Sequence, residues 1–353
     1  MIGVMKIARW FLLASALVAT LSVSTGRAAP PSSRALQSVV PIALPGGEGG
    51  IGFDDLTFAR GLQKLLVPAG RSGKVDLVDP ASRQVIPIGG FSTQGRFVQG
   101  HGEGTTSADA GRGWIFASDR TALELVVLDP AARTVVAKAK LASGPDYVRW
   151  VETTGEVWVT EPDKERIEIF ALPTSGPPVP VHKEFLAIPG GPESLIVDAA
   201  HGRAYTHLWK STTLAVDVKS RAIVDRWPNG CGGSRGIALD PERGFLFVGC
   251  AEGKAVVLDL NRSGAIRDTL SAGAGVDIID YSRELHHLYL PGGESATMAI
   301  LGVDKAAKLS LLSIFKTAGS AHCVVADDHR QAWVCDPHRG RLLLVADPFP
   351  ASE

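Results

Sequence analysis

One pattern recurs seven times along the chain, and this repetition constrains the fold more than any other feature of the sequence. Each copy has a glycine or serine, an acidic or polar residue, an apolar run, a turn and an aromatic β-strand pattern. Successive copies are 42 to 49 residues apart, a spacing typical of four-stranded propeller blades. The sequence therefore predicts an all-β, seven-bladed β-propeller. The repeated polar position falls at Asp54, Glu103, Asp146, Glu193, Arg235, Asp277 and His322.

The strand signals follow one another within each copy. In the third copy, residues 157–160 and 166–170 have the pattern of consecutive strands with a short turn between them. No segment between strands has room for a crossover helix, which excludes a parallel α/β fold. The last copy ends at residues 342–345 without a fourth strand, and residues 38–43 have the character of that missing strand. We expect this N-terminal strand to close the ring against the last blade, because closure removes open sheet edges.

The first 28 residues have the pattern of a secretory signal peptide. Lys6 and Arg9 precede an apolar run at residues 10–23, and the small residue Ala28 marks a cleavage site before a propeller domain over residues 29–353. The apolar run is shorter than the roughly 20 residues that a bilayer requires, so we expect no membrane span after cleavage. Cleavage changes 36 basic and 37 acidic residues to 33 and 37, a net charge of −4. This charge disfavours a nucleic-acid partner, which would need a basic excess.

The four cysteines fit an exported protein. They form two closely spaced pairs, 19 and 12 residues apart, which favours two disulfides in an oxidising compartment. In a blade hairpin that turns near His329, residues 323 and 335 face each other within reach of a disulfide. Four buried free thiols are the alternative, whereas the tight spacings of a zinc site are absent. The predicted pairs are Cys231 with Cys250 and Cys323 with Cys335.

The innermost strands of a propeller begin at one mouth of the central channel, so the repeated polar residues converge there. One interpretation is a salt-bridge network in which Arg235 lies between Glu193 and Asp277. The other is a site for one divalent cation. His322, Asp54 and either His101 or Glu103 would suit Zn, Cu or Fe. A site made only of carboxylates would suit Ca instead, and would use Asp54, Asp146, Glu193 and Asp277.

The blade pattern resembles a known repeat family. Val157-Trp158-Val159-Thr160-Glu161 is similar to the repeat signature of the YVTN family of bacterial β-propellers. Phe247-Val248-Gly249-Cys250 and the turn Leu128-Asp129-Pro130 fit the same blade pattern. The resemblance covers roughly residues 40–350, and it implies an exported seven-bladed propeller without implying a particular reaction.

Catalytic motifs give little support for an enzyme. Gly232-Gly233-Ser234-Arg235-Gly236 matches the G-x-S-x-G string of serine hydrolases, but it precedes a β-strand where that motif must open a helix. The function that we favour is a periplasmic or secreted scaffold whose channel mouth binds a periplasmic protein or a small-molecule ligand. The alternative is a metal-dependent hydrolase or lactonase with a cation in the channel.

Overall fold

Short antiparallel strands account for almost all of the regular structure. The computed structural model describes residues 39–353, which form seven four-stranded antiparallel sheets. The prediction of an all-β, seven-bladed propeller is therefore confirmed. The predicted signal peptide and its cleavage site lie outside the described residues.

The blades follow one another along the chain, and each is numbered by its innermost strand. Blade 1 comprises β2 (Thr57–Ala59), β3 (Lys64–Pro68), β4 (Lys74–Val78) and β5 (Val85–Gly89). Blade 2 comprises β6 (Ala108–Gly111), β7 (Trp114–Asp119), β8 (Glu124–Asp129) and β9 (Thr134–Lys140). Blade 3 comprises β10 (Val148–Val151), β11 (Glu156–Glu161), β12 (Arg166–Ala171) and β13 (Val181–Ala187). Blade 4 comprises β14 (Ile196–Asp198), β15 (Arg203–His207), β16 (Thr212–Asp217) and β17 (Ile223–Pro228).

The remaining blades have the same order. Blade 5 comprises β18 (Ser234–Asp240), β19 (Phe245–Cys250), β20 (Lys254–Asp259) and β21 (Ala265–Ser271). Blade 6 comprises β22 (Asp280–Ser282), β23 (His287–Gly292), β24 (Thr297–Val303) and β25 (Leu309–Lys316). Blade 7 comprises β26 (Val324–Ala326), β27 (Gln331–Asp336), β28 (Arg341–Ala346) and, on its outer side, β1 (Val40–Ala43). Single-turn 3-10 helices follow β11, β20 and β27 at Pro162–Lys164, Leu260–Arg262 and Pro337–Arg339.

The strand sequences reflect their position in the blade. The middle strands are buried on both faces between neighbouring blades, and all six residues of β11 are buried. Such strands have nearly continuous apolar sequences. The outer strands alternate instead, so that β9 has exposed and half-buried residues in turn. Burial on both faces also explains Trp158 and Trp333, which are fully buried in the core and serve in packing.

The N-terminal strand β1 lies against the last strand of the chain. Val40 pairs with Leu344 and Ile42 with Leu342 in an antiparallel register. Ile42 and Leu344 belong to a core cluster that also contains Val67 of blade 1. Whether this strand is what holds the ring closed stays a prediction.

Both predicted disulfides are confirmed. Cys231, in the loop before β18, is bonded to Cys250 at the end of β19, with 5.3 Å between their Cα atoms. Cys323 is bonded to Cys335 on the neighbouring strand, with 5.6 Å between Cα atoms. Each bridge links two strands of a single blade. Among residues 39–353, no helix is long and apolar enough to cross a bilayer.

Candidate functional sites in the central channel

The repeated polar residues converge at one end of the channel, where the innermost strands begin. Five of them lie two or three residues before an innermost strand, and Arg235 lies at the start of β18. Backbone hydrogen bonds join neighbouring blades here, from Ile278 N to His322 O (3.0 Å) and from Gly236 N to Asp277 O (2.8 Å). We call this group the polar ring; its members are Asp54, His101, Asp146, Glu193, Arg235, Asp277 and His322.

His101 reaches the polar ring from a long loop. The segment between β5 and β6 spans residues 90–107, and it lies so close to Gly52 that a Cβ there would be 2.2 Å from Gly100 O. This approach places His101 Nδ1 2.9 Å from Asp54 Oδ2. Glu103, in the same loop, is exposed instead. The loop therefore contributes His101 rather than Glu103 to the ring.

Asp54 and His101 form an ion pair in which each side chain favours the charged form of the other. Burial opposes ionisation of Asp54, but the positive charge of His101 outweighs it, and the pKa of Asp54 is lowered. The Asp54 carboxylate raises the pKa of His101 to about 9, against the effect of burial. Both side chains are therefore charged at neutral pH when nothing else is bound.

Two arginines neutralise other carboxylates of the polar ring. Arg120, in the turn after β7, lies 2.9 Å from Asp146 Oδ1. Arg235 lies 2.7 Å from Glu193 Oε1, and its guanidinium is 5.6 Å from the ring centroid of the half-exposed Trp209. The predicted contact between Arg235 and Glu193 is present, whereas the described residues show no ion pair between Arg235 and Asp277. Arg120 is an arginine that the repeat pattern did not include.

The two arginines do not fully offset the effect of burial on the carboxyl groups of the polar ring. Burial, followed by repulsion from Asp54, raises the pKa of Asp146 to about 7. Burial raises the pKa of Glu193 to about 9 in spite of Arg235, and it also raises the pKa of Asp277. The arrangement of four acidic groups around a narrow channel is thus one that a further cation would stabilise.

His322 makes contacts that differ from those of a metal ligand. Its Nδ1 is 2.6 Å from Ser320 O and its Nε2 is 3.0 Å from Phe53 O. Carbonyl oxygens only accept, so both hydrogen bonds form when both ring nitrogens carry protons. The sulfurs of Cys323 and Cys335 near it are bonded to each other. The structure therefore brings together Asp54, His101 and Asp146 as possible ligands, with His322 beside them.

A cavity of about 640 Å³ occupies the channel on the other side of the polar ring. Its deepest residues, Asp55, Tyr147 and Ile278, directly follow three members of the ring. The cavity extends to the opposite end, where the innermost strands finish. Residues from the innermost strands of all seven blades line it, and none of the predicted channel-mouth residues does.

The walls of the cavity contain apolar side chains and carboxylates that accept hydrogen bonds from the protein. Asp55 accepts two hydrogen bonds from Arg149, at 2.5 and 2.9 Å. Asp109 accepts from the backbone N–H groups of Ala110 and Trp150, both at 2.8 Å.

Asp280 accepts in the same way from Tyr281 and Ala326, and thereby joins blades 6 and 7. Burial raises the pKa of Asp109 and of Asp280. These carboxylates therefore act mainly as links between blades.

The entrance of the cavity carries arginines. Arg60, Arg112 and Arg283 are exposed residues of the turns that follow β2, β6 and β22, and all three line the cavity. Arg60 is paired with Asp328 at 3.1 Å, and Arg112 donates to two backbone carbonyls. Glu152 is the acidic residue of the entrance, where it accepts from Trp150 Nε1. The cavity thus has a wall of apolar side chains and hydrogen-bonded carboxylates, and an entrance with three arginines and one glutamate.

The repeat pattern alone could not locate this cavity. The repeated polar residue lies at or before each innermost strand, whereas the entrance residues lie in the turns after those strands. Arginine recurs in these turns, as at Arg60, Arg112 and Arg283, so the sequence held a signal that the prediction did not use. Arg120 was missed for a related reason: it follows a second strand, whose loop returns to the ring end of the channel.

Comparisons with known proteins support the fold. No protein-family profile matches the sequence, and no curated protein matches it either. A chain of the Kuenenia stuttgartiensis hydrazine synthase is 11% identical, with a TM-score of 0.67, covering 85% of this chain and 96% of that one. A chain of a mitotic checkpoint complex is 12% identical, with a TM-score of 0.70 and coverages of 93% and 99%. The β-propeller domain of Myceliophteria thermophila Cps50 (Swd1) is 12% identical, with a TM-score of 0.65 and coverages of 87% and 99%. Identities this low show a shared propeller fold alone.

Proposed function

We propose that this protein is an extracytoplasmic binding propeller that holds a small organic anion in its central channel. The observation that carries the proposal is the cavity of about 640 Å³, which lies within the size range of small-molecule sites. Its wall is built by all seven blades, so its shape is fixed by the closed fold and not by one mobile loop. Rigid propellers commonly bind through such preformed surfaces.

The chemistry of the cavity indicates the ligand class. Leu56, Ile237 and Ile278 offer an apolar wall, and Trp114 and Tyr147 offer aromatic surface. Arg283 supplies donors whose planar fork suits carboxylate, sulfonate or phosphate groups, and the already engaged Arg60 and Arg112 add positive charge beside it. A ligand with an apolar or aromatic body and one acidic group fits both features.

The extracytoplasmic location rests on two observations of different kinds. The sequence begins with a signal-peptide pattern, and all four cysteines are in disulfides, which persist in oxidising compartments. We also propose that the chain belongs with the YVTN-type exported propellers that its blade pattern resembles. A scaffold role toward a periplasmic protein is compatible with the fold, since one similar structure is a chain of a multiprotein complex.

The binding site can be tested with 1-anilinonaphthalene-8-sulfonate, an aromatic sulfonate whose fluorescence reports an apolar environment. Ala199 is an exposed turn residue that lines the cavity, and Ala200 is its exposed neighbour outside the cavity. We expect stoichiometric binding of the probe, weakened at least about tenfold by Ala199→Trp, because the indole would cover the entrance. Ala200→Trp is the matched control and should bind as the unmodified protein does. Equal affinities of the two variants would contradict a site in this cavity.

A metal-dependent hydrolase is the second candidate function. It requires a cation at the polar ring, which the binding function does not.

A further inference from the structure

We propose that the polar ring binds one divalent transition-metal ion, with Zn²⁺ the best match, through Asp54 Oδ2, His101 Nδ1 and a carboxylate oxygen of Asp146. This inference concerns the opposite end of the channel from the cavity and is independent of the proposed ligand. It also differs from the ligand set predicted from the sequence, because Asp146 takes the place of His322.

The geometry of Asp54 and His101 is the first argument. Their facing atoms, Oδ2 and Nδ1, are 2.9 Å apart and buried, yet neither has an aligned hydrogen-bond partner among the described residues. Asp54 is only 3% exposed, so water cannot easily satisfy its free oxygen. Two ligand atoms on one Zn²⁺, with bonds of about 2.0–2.2 Å at roughly 90–110°, are about 3 Å apart. The pair is therefore spaced as two ligands of a shared ion would be.

The third ligand comes from a different blade. One ligand atom from each of Asp54, His101 and Asp146 lies within 4.8 Å of the others, so small side-chain movements could bring all three to one ion. Asp146 Oδ1 is held by Arg120, which orients the carboxylate from outside in the way that second-shell partners commonly do. Three protein ligands leave one position for water in a tetrahedral site.

The donor set selects the class of metal. One imidazole and two carboxylates suit Zn²⁺ and similar borderline ions, whereas Ca²⁺ requires six to eight oxygen ligands. His322 is outside the set because both of its nitrogens contact backbone carbonyls.

Charge balance is compatible with a cation. Apart from His101, the ring region has four carboxyl groups, and Arg120 and Arg235 each pair with one of them. A bound cation would add positive charge to a region rich in carboxyl groups. Metal binding would release the proton of His101 Nδ1 to solvent and place the ion on that nitrogen.

The test is isothermal titration of the untagged chain, lacking the predicted signal peptide, with Zn²⁺. We expect one equivalent to bind, with affinity reduced at least about tenfold in His101→Ala and in Asp146→Asn. His201→Ala is the matched control. His201 pairs with Asp198 at 2.8 Å on the surface, so it offers the same residue types without the third ligand. Unchanged thermal unfolding of His101→Ala would show that the loss is not due to misfolding.

Co²⁺ gives an independent readout. Its visible absorption is intense when the ion is four-coordinate, so the unmodified protein should develop this spectrum and His101→Ala should not. Absence of stoichiometric Zn²⁺ binding would overturn the proposal. So would binding that persists in His101→Ala, or binding that is lost equally in His201→Ala. Anilinonaphthalene sulfonate binding should be unaffected by His101→Ala, which separates failure of this proposal from failure of the cavity site.

Discussion

Asp76 shows how single residues in this fold can work against its stability. It lies in β4 between Val67 and Pro87 of the adjacent strands, it is fully buried, and neither of its carboxylate oxygens has a hydrogen-bond partner among the described residues. Burial raises its pKa to about 7, with only a small opposing effect from Lys74. This burial is not evident from the sequence, because the alternation from Lys74 to Asp76 resembles the exposed face of a strand. A neighbouring blade covers that face in the folded protein.

We expect Asp76→Asn to stabilise the protein at high pH. The pKa of Asp76 is raised in the folded state, so its cost is absent below about pH 4 and grows until the pH exceeds about 7. The full cost is about 4 kcal/mol, of which the amide should recover a part because it is uncharged. Urea unfolding between pH 4.5 and 9 should show the variant gaining stability over the unmodified protein as the pH rises. Asp225→Asn, an exposed change in β17, is the control. An identical pH dependence of Asp76→Asn and unmodified protein would refute the assignment.

At the scale of elements, the segments at the two ends of the described chain both carry contacts that stabilise blade 7. We expect a chain that starts at residue 45 to be less stable than one that starts at residue 39. The shorter chain lacks β1 and loses the buried side chains of Ile42 and Leu44, each worth about 1.5–3 kcal/mol. A decrease of about 3–6 kcal/mol in the free energy of unfolding should follow, measured by urea denaturation. Equal stability of the two chains would mean that β1 does not close the ring.

The C-terminal segment is the second such element. Asp347 Oδ2 contacts His287 Nδ1 and Tyr289 Oη, both at 2.7 Å, and His287 Nε2 is 3.1 Å from Pro350 O. His287 belongs to β23, a middle strand of blade 6, and its side chain is fully buried.

Removing residues 347–353 would leave His287 and Tyr289 buried without their acceptor. We expect a loss of about 3–5 kcal/mol, the usual effect of breaking a buried pair. The matched control removes only Glu353, which is exposed. Thermal and urea unfolding of the two truncated chains should differ clearly; similar curves would show that the buried histidine finds another partner.

At the scale of the whole molecule, the sequence predicted what repeats and missed what varies between blades. The seven copies have a polar residue at or just before each innermost strand, and the structure places Asp54, Asp146, Glu193, Arg235 and Asp277 at one end of the channel. His101 and Glu103 both lie in the longer loop of residues 90–107, so the repeat pattern did not distinguish between them. The packing of this loop against Gly52 places His101, and not Glu103, beside Asp54. The cavity depends on turns at the other end, where Arg60 and Arg112 are each followed by glycine but the turns differ in length and in their other residues. A periodic pattern of buried residues can be recognised in the sequence. The volume of a cavity lined by seven blades depends on how the blades and turns pack once the ring is closed.

A closed ring should also unfold as a unit, unlike an open repeat array whose ends can fray. Each blade packs between two neighbours, and the largest core cluster contains both Ile42 and Leu344 of blade 7 and Val67 of blade 1. We therefore expect hydrogen exchange in low urea to give equal protection for the second strand of every blade. Those strands are β3, β7, β11, β15, β19, β23 and β27. In the chain that starts at residue 45, β27 and β3 should lose protection first, because they flank the opened junction, whereas β11 and β15 should keep it longest. If all seven strands of the shortened chain lost protection equally, β1 would contribute only to the global stability. If protection differed between the strands of the intact chain, the blades would unfold separately.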